Sequence, residues 1–254
     1  MVGRTAEPSV LWTIGAPGAH GLAIHETVFD HWRQPWNWPR HCGKAGRAGH
    51  HTLLHGRDTV ALAKVSKTVK PRCAGVVRLI HDLAIISGVS DLIAAVGNDP
   101  LDLLVNNAGI AVVKPFGEIT HIEWEQTLGV NVTAPFLLTQ RFAPEMPPGA
   151  SIVNILSIAA KTGFANWSAY CMSKFALEGF SQSVREELRE HKIRVINIYP
   201  AATNTEIWNN VEGDWPRNKM ISAEQVASAV VYALSRPADV AVESITLSNA
   251  TGNL

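Results

Sequence analysis

The chain has 254 residues, 46% of them hydrophobic, which is enough to bury one large core. Its 22 Lys and Arg residues match its 22 Asp and Glu residues, so the formal net charge is +0. Such a surface has no general electrostatic attraction for nucleic acid or for an anionic membrane, so neither is expected as a partner.

Short apolar runs rich in Val, Ile and Leu alternate along the chain with helix-like segments. Seven runs predict strands, at residues 10–14, 52–55, 76–80, 101–106, 151–156, 194–199 and 243–247. Buried runs of this length between helices are typical of a parallel sheet covered on both faces. The sequence therefore predicts an α/β fold with a doubly wound, parallel, seven-stranded sheet of the Rossmann type. Residues 1–254 are expected to form a single domain.

The first predicted strand runs into a glycine-rich loop with the sequence GAPGAHG at residues 15–21. Glycines there let the backbone turn tightly and approach a pyrophosphate, and amides at the start of the next helix attract the anion. We expect Gly15, Gly18, His20 and Gly21 to contact a dinucleotide. An ordinary turn between a strand and a helix is the alternative explanation of the loop taken alone.

The segment at about 28–50 interrupts the regular pattern, because it places three tryptophans and two prolines within residues 32–39 and has little helical periodicity. In dinucleotide-binding units the residue that contacts the ribose lies about 20 residues past the glycine loop. Here Arg57, beyond the second predicted strand, lies 36 residues past Gly21. A functional insertion and a local reading-frame error both explain the excess, and the encoding DNA would distinguish them.

The chemically most informative segment is YCMSK at residues 170–174, with Ser157 at the end of the preceding strand. Residues four apart share one face of a helix, so the Tyr170 phenol and the Lys174 ammonium reach the same ligand. The reference pKa of tyrosine is about 10, too high for a base at neutral pH, but a nearby positive charge favours the phenolate. Taken alone, such a pair is more often a surface feature of an amphipathic helix.

Near the end of the chain, Ser222 followed by Gln225 predicts a capping box, and apolar residues recur after it at helical spacing. A helix is therefore expected to begin at this point.

Together these features resemble the short-chain dehydrogenase/reductase family from Val10 to Leu247. The separation of 13 residues between Ser157 and Tyr170 is the one that the family uses. The matching positions are the glycine loop, Asp82-Leu83, Asn106-Asn107-Ala108-Gly109, Asn131, Ser157, Tyr170, Lys174 and the stretch from Pro200 to Thr205.

The resemblance implies an active site of Asn131, Ser157, Tyr170 and Lys174. Tyr170 would act as general acid/base on the substrate oxygen, and Ser157 would hydrogen-bond the same oxygen. Lys174 would hold the nicotinamide ribose and lower the tyrosine pKa, and Asn131 would position a water that relays protons. The alternatives are a helix-interior asparagine bonded to backbone and a serine that caps the strand end. A metal is not expected.

The resemblance also implies contacts with the adenosine part of the cofactor from Asp82, Leu83, Asn107 and Gly109. Contacts with the nicotinamide part are expected from Pro200, Thr203 and Thr205, beside Tyr170 and Lys174. Loop geometry departs from the family pattern at three positions: Ile14 replaces the usual threonine, and Ala19 and Ala201 replace usual glycines.

Cofactor choice depends on the sequence HGRD at residues 55–58. An acidic residue at this strand end suits the ribose hydroxyl of NAD, whereas an arginine suits a 2′-phosphate. Gly56 stands where relatives selective for NAD carry the acid, and Arg57 follows it, so we expect NADP(H) rather than NAD(H). In the alternative, Arg57 is a solvated loop residue. In either case Asp58 can cap the next helix.

These features predict an NADP-dependent oxidoreductase acting on a small-molecule carbonyl or secondary alcohol; a non-catalytic NADP(H)-binding regulator on the same fold is the alternative. The substrate is expected at the carboxyl ends of the strands, between walls at 110–116, 159–164 and 206–219. The resemblance further implies a homodimer or homotetramer that packs through the helices bearing Asn131 and Tyr170.

Three cysteines, Cys42, Cys73 and Cys171, lie far apart and form no CxxC pair, which argues against a disulfide framework and a structural zinc site. The sequence has no run of 18 apolar residues and no apolar signal core after Met1. We therefore expect a cytoplasmic protein.

Overall fold

The computed structural model of the chain describes residues 9–13, 51–205, 207–208, 211, 213–237, 239–250 and 252. The glycine loop, with its expected contacts Gly15, Gly18, His20 and Gly21, lies outside the described residues, as does the segment at about 28–50.

Seven strands in the described part of the chain form one parallel sheet, which confirms the predicted fold. Their positions agree with the sequence prediction to within about two residues. The strands are β1 (Ser9–Thr13), β2 (His51–His55), β3 (Gly75–Leu79), β4 (Leu103–Asn106), β5 (Ser151–Ile155), β6 (Arg194–Pro200) and, near the end of the chain, β9 (Ser244–Leu247).

The spatial order of the strands is β3-β2-β1-β4-β5-β6-β9, and every neighbouring pair is parallel. The order reverses between β1 and β4, the position at which doubly wound sheets have a crevice. In doubly wound sheets ligands bind at this position, outside the carboxyl ends of the strands. The residues that follow β4, β5 and β6 are therefore candidates for a ligand site.

Six α-helices are described, and two of them begin at side-chain caps that the sequence indicates. Asp58 accepts hydrogen bonds from the amides of Val60 and Ala61 at 2.8 and 2.9 Å, and Ser222 and Gln225 form the predicted capping box. The helices are α1 (Thr59–Val69), α2 (Ile86–Val96), α3 (His121–Leu128), α4 (Ala134–Phe142), α5 (Ser168–Arg189) and α6 (Ala223–Leu234).

Two hydrophobic cores, one on each face of the sheet, hold these helices in place. On one face α1 and α6 pack through Leu62 and Val230 against strand residues such as Val105. On the other face α2 and α4 pack through Leu92 and Phe142 against residues of the opposite strand parity. The alternation of strand side chains between two apolar layers explains why the runs read as continuously hydrophobic.

Two features of the backbone were not predicted. Residues Gly129–Thr133, between α3 and α4, form a π turn in which the Ala134 amide donates to the Gly129 carbonyl. The short strands β7 (Thr203–Asn204) and β8 (Ile221–Ser222) pair in parallel, so the two ends of the chain between them are held together. No helix in the described part of the chain is long and apolar enough to cross a bilayer.

Candidate active site

Tyr170 and Lys174 lie one turn apart on α5 and are both almost fully buried, with 6% and 4% of their surface exposed. The Lys174 ammonium donates to the carbonyl of Ile155, the last residue of β5, at 3.0 Å. Its nitrogen lies 5.7 Å from the centroid of the Tyr170 ring. The helix thus carries both side chains to the carboxyl end of β5, as the spacing of four predicts.

Ser157 follows β5 by two residues and serves two purposes. Its Oγ accepts from the Ala159 amide at 3.1 Å, which caps the short 3₁₀ turn Ile158–Ala160. It also forms a hydrogen bond with the Tyr170 hydroxyl that favours the phenolate. Ser157 therefore caps this turn with its oxygen beside the phenol, and its hydrogen bond to a substrate oxygen stays a prediction.

Burial dominates the titration of the central pair. It raises the pKa of Tyr170 to about 12, although the hydrogen bond from Ser157 acts in the opposite direction. Burial also lowers the pKa of Lys174 to about 8. The net direction for Tyr170 is opposite to the one expected from a neighbouring lysine, because desolvation of the phenolate outweighs the favourable contacts. At neutral pH both groups therefore carry their protons.

Asn131 is fully buried in the π turn, where its side chain ties three segments together. Its Oδ1 accepts from the Ile110 amide at 2.9 Å, and its Nδ2 donates to the Ile110 carbonyl and to Ser173 Oγ, each at 2.9 Å. Ser173 in turn donates to the Tyr170 carbonyl at 2.7 Å. These bonds agree with the alternative of an asparagine bonded to backbone, and the relay of protons through a water stays a prediction.

A ladder of buried asparagines joins α5 to the sheet. In the sheet register Asn106, Asn154 and Asn197 lie opposite one another on β4, β5 and β6. Asn106 Nδ2 donates to Asn154 Oδ1 at 2.9 Å, and Asn154 Nδ2 donates to Asn197 Oδ1 at 3.2 Å and to Ser181 Oγ on α5 at 3.0 Å. Asn197 donates to Glu178, also on α5, at 3.0 Å. The ladder fixes α5 against the strands, and of its members the sequence pointed only to Asn106.

Residues expected at the adenosine part of the cofactor lie after β2 and β3. Arg57 Nη1 lies 3.2 Å from Asp82 Oδ2, with both side chains 41% exposed, and Asp82 Oδ1 accepts from the Ala84 amide at 2.9 Å. The Leu83 side chain is buried in the core, so its backbone alone can face a ligand. Near Arg57, the His55 ring is buried and its Nε2 donates to the His81 carbonyl at 3.0 Å, and burial lowers the pKa of His55 to about 4.

Residues after β4 lie near the central pair. Asn107 is buried, and Gly109 approaches the site so closely that an added Cβ would lie 3.6 Å from both Asn131 Oδ1 and Lys174 Nζ. Pro200, the last residue of β6, and Thr203 line the cavity described next, and Thr205 Oγ1 donates to the Thr203 carbonyl at 3.4 Å.

A cavity that is open to solvent lies against Ser157 and Tyr170. Its wall is mostly aromatic and aliphatic. It includes residues of the expected walls at 159–164 and 206–219 but none of the expected wall at 110–116. The lining residues are Leu156, Ser157, Ile158, Ala159, Phe164, Trp167, Tyr170, Pro200, Ala201, Ala202, Thr203, Ile207, Trp208 and Trp215. Trp167 was not predicted as a site residue, although it lies three residues before Tyr170, at the N-terminal end of α5. Among the described residues no group of three or more His, Cys, Asp or Glu side chains could hold a metal ion.

The family model described as short chain dehydrogenase matches residues 40–215 of the chain. The chain belongs to the short-chain dehydrogenase/reductase family. The family match begins after the glycine loop at 15–21, so it rests on the part of the sequence from 40 onward.

Individual relatives of this short-chain dehydrogenase have several substrates in their names. A sepiapterin reductase of Chlorobaculum tepidum is 29% identical over 206 residues, which cover 80% of this chain and 84% of that protein. An L-xylulose reductase of Mesocricetus auratus is 32% identical over 202 residues, covering 74% and 80%. Among solved structures, a metagenomic short-chain oxidoreductase in complex with NADP has a TM-score of 0.71 at 25% identity, covering 95% and 96%.

Proposed function

We propose that this short-chain dehydrogenase is an NADP(H)-dependent oxidoreductase that interconverts a small-molecule ketone and a secondary alcohol, with Tyr170 as general acid/base. One observation carries the proposal. The hydroxyls of Ser157 and Tyr170 are hydrogen-bonded to each other at the wall of an open cavity, and a buried lysine lies behind the phenol. Two hydroxyls that converge in this way can hold one carbonyl oxygen and deliver a proton to it.

The residues present fit a nicotinamide cofactor. A protonated lysine has three N–H donors, and within the described residues Lys174 uses one of them, on Ile155. The lack of a side chain at Gly109 leaves space beside the other two. Lys174 would therefore hold ribose hydroxyls, and Pro200, Thr203 and Thr205 would face the nicotinamide. When bound, the cofactor supplies the hydride.

The chain's own groups supply the proton. During reduction Tyr170 donates its O–H proton to the carbonyl oxygen, and Ser157 stabilises the same oxygen by a hydrogen bond. The charge of Lys174 stabilises the phenolate that remains. Because the pKa of Tyr170 is raised to about 12, the tyrosine is available as an acid at neutral pH. We therefore propose that reduction is favoured near neutral pH and that oxidation requires alkaline pH.

We propose NADP(H) over NAD(H) because Arg57 is exposed at the end of β2, and solved relatives such as the metagenomic oxidoreductase carry NADP. The Arg57 guanidinium would give up part of its contact with Asp82 and form charge-assisted hydrogen bonds with the 2′-phosphate. Neither Cys73 nor Cys171 forms a disulfide among the described residues, and we propose a location in a reducing cytoplasm.

Two measurements test this function. Fluorescence titration should give tighter binding of NADPH than of NADH. Arg57→Ala should weaken NADPH binding about 10- to 100-fold, the loss expected for a bond to a charged group, and leave NADH binding unchanged. Arg78→Ala, which removes an exposed arginine in the neighbouring strand β3, is the control.

The second measurement follows NADPH consumption with a panel of ketones. Tyr170→Phe should reduce turnover at least 100-fold while NADPH still binds, whereas Tyr232→Phe, on the half-exposed face of α6, should have no effect. Undiminished turnover in Tyr170→Phe would refute the acid/base assignment. NADPH binding with no turnover of any carbonyl or alcohol would instead favour a regulator.

A further inference from the structure

Three tryptophans form a continuous aromatic wall on the side of the cavity that faces Tyr170. The Trp167 ring lies 5.5 Å from the Tyr170 ring and 5.7 Å from the Trp208 ring, both in edge-to-face contact. Trp208 and Trp215 are 4.8 Å apart. Trp167 comes from the start of α5, and the other two from the chain between β7 and β8, so two separate parts of the fold build this surface.

Most polar side-chain groups of the described cavity lining already take part in hydrogen bonds. None of the lining residues that the structure describes is charged. The Thr203 hydroxyl donates to the Ala201 carbonyl at 2.9 Å, and the Trp208 indole donates to the Thr203 carbonyl at 2.9 Å. Among the described lining residues Ser157 and Tyr170 thus remain as the hydroxyls that face a ligand, and the proposed reaction uses both on the carbonyl oxygen.

This distribution of groups discriminates between classes of ketone. A hydroxyl that loses water without gaining a partner costs about 1–3 kcal/mol, so a sugar-like ketone with several hydroxyls would be disfavoured cumulatively. An aromatic ring against tryptophan gains about 0.5–1.5 kcal/mol beyond its buried area.

We propose that the pocket of Trp167, Trp208 and Trp215 binds a neutral ketone bearing an aromatic or extended apolar group, and that it rejects polyhydroxylated ketones. The inference rests on the proposed function and narrows its substrate class. Each turnover adds one hydride to the carbonyl carbon and one proton to its oxygen, giving a secondary alcohol and one oxidised nicotinamide. The relative named L-xylulose reductase would then differ from this chain in substrate class.

Steady-state kinetics with NADPH compare 2-acetylnaphthalene with L-xylulose. We expect kcat/KM to be at least 100-fold higher for the aromatic ketone. Trp167→Leu and Trp208→Leu keep the cavity apolar, and each should raise KM for 2-acetylnaphthalene at least about tenfold while changing kcat/KM for acetone less than threefold. The matched control is Trp124→Leu, which changes a half-exposed tryptophan on α3 outside the cavity. Thermal unfolding of each variant verifies folding.

Turnover of L-xylulose with a kcat/KM equal to or above that of 2-acetylnaphthalene overturns the inference and leaves the proposed function intact. If the wild type reduces no ketone, the proposed function fails, and calorimetric titration with 2-acetylnaphthalene decides the inference independently. Binding that is weakened by Trp167→Leu and Trp208→Leu but not by Trp124→Leu supports the pocket assignment. Absence of binding, or equal binding in all variants, refutes it.

Discussion

Lys174 is a positive charge that the fold holds away from water. Burial lowers its pKa from 10.5 to about 8, a penalty on the charged form of about 3 kcal/mol at pH 7. The unfolded chain binds more protons than the folded chain between these two values. The penalty is therefore fully present below pH 8 and disappears as the pH rises toward 10.5, so stability increases across this window. The site retains the lysine at a cost in stability, as active sites commonly do.

Replacement of this lysine by an apolar side chain of similar length should stabilise the protein. We predict that Lys174→Met raises the free energy of unfolding at pH 7 by about 2 kcal/mol, since removal of the charge gains about 3 kcal/mol and loss of the bond to Ile155 costs about 1 kcal/mol. Denaturant unfolding at pH 7, 8 and 10 measures the effect, and the variant should lack the rise between pH 8 and 10. Lys64→Met, at an exposed position of α1, is the control. A destabilised Lys174→Met with an unchanged pH profile would contradict this account.

For individual residues, the sequence predicts which side chains lie together but not the direction of their pKa shifts. Tyr170, Lys174 and Ser157 were identified by residue type and spacing, and the fold brings them to one strand end. The raised pKa of Tyr170 was not foreseen, because it depends on burial, which arises from the packing of several elements; the lowering effect of Lys174 stays a prediction. Asn131 is hydrogen-bonded to Ile110 and Ser173, which come from distant parts of the chain, so no local pattern reveals these partners.

At the scale of elements, close packing around the turn after β3 positions the π turn that carries Asn131. A Cβ added at Gly129 would lie 2.6 Å from the Ala84 carbonyl oxygen, and one at Gly88 would lie 2.1 Å from that of Asp82. Both contacts are with backbone, which cannot rotate away as a side chain can. Because Gly129 and Gly88 have no side chains, the π turn and α2 can both pack against the turn after β3. Gly129 lies two residues before the buried Asn131.

We predict that Gly129→Ala destabilises the protein by about 1–3 kcal/mol, the usual cost of overpacking. The displaced π turn should also lower kcat/KM, because Asn131 would pull on Ser173 and the Tyr170 carbonyl. Thermal and denaturant unfolding, together with ketone reduction, measure both effects. Gly117→Ala is the control, since an added Cβ there meets nothing within 4 Å. Equal behaviour of the two variants would show that Ala84 tolerates the contact.

The regular elements were predictable from local pattern, and the irregular ones were not. Apolar runs give the seven strands, and the Ser222 capping box gives the start of α6. The strands β7 and β8 have two residues each, too few for any periodicity. The π turn is one extra residue inside a helical stretch, a feature common at functional sites but without a composition signature.

At the scale of the whole molecule, the helices beside the active site leave aromatic side chains in solvent. Phe136 on α4 and Phe175 on α5 are 41% and 47% exposed. Phe136 contacts Phe180 on α5 edge to face at 5.5 Å, so the apolar surface crosses from one helix to the other. The sequence resemblance implies association through these helices, and exposed apolar patches of this kind commonly mark interfaces. We propose that α4 and α5 pack against the same helices of a second copy.

An interface through α4 and α5 would brace the helix that carries Tyr170 and Lys174, so assembly and activity should change together. We predict that the wild type is at least a dimer by light scattering at micromolar concentration, and that the double variant Phe136→Glu and Phe175→Glu is a monomer with a lower melting temperature. Carboxylates at an apolar interface would lose water without a partner on the second copy. Val60→Glu, which introduces the same charge on exposed α1, should leave the assembly unchanged. A monomeric wild type would refute this interface, and a double variant that stays a dimer would mean that the copies meet through another surface.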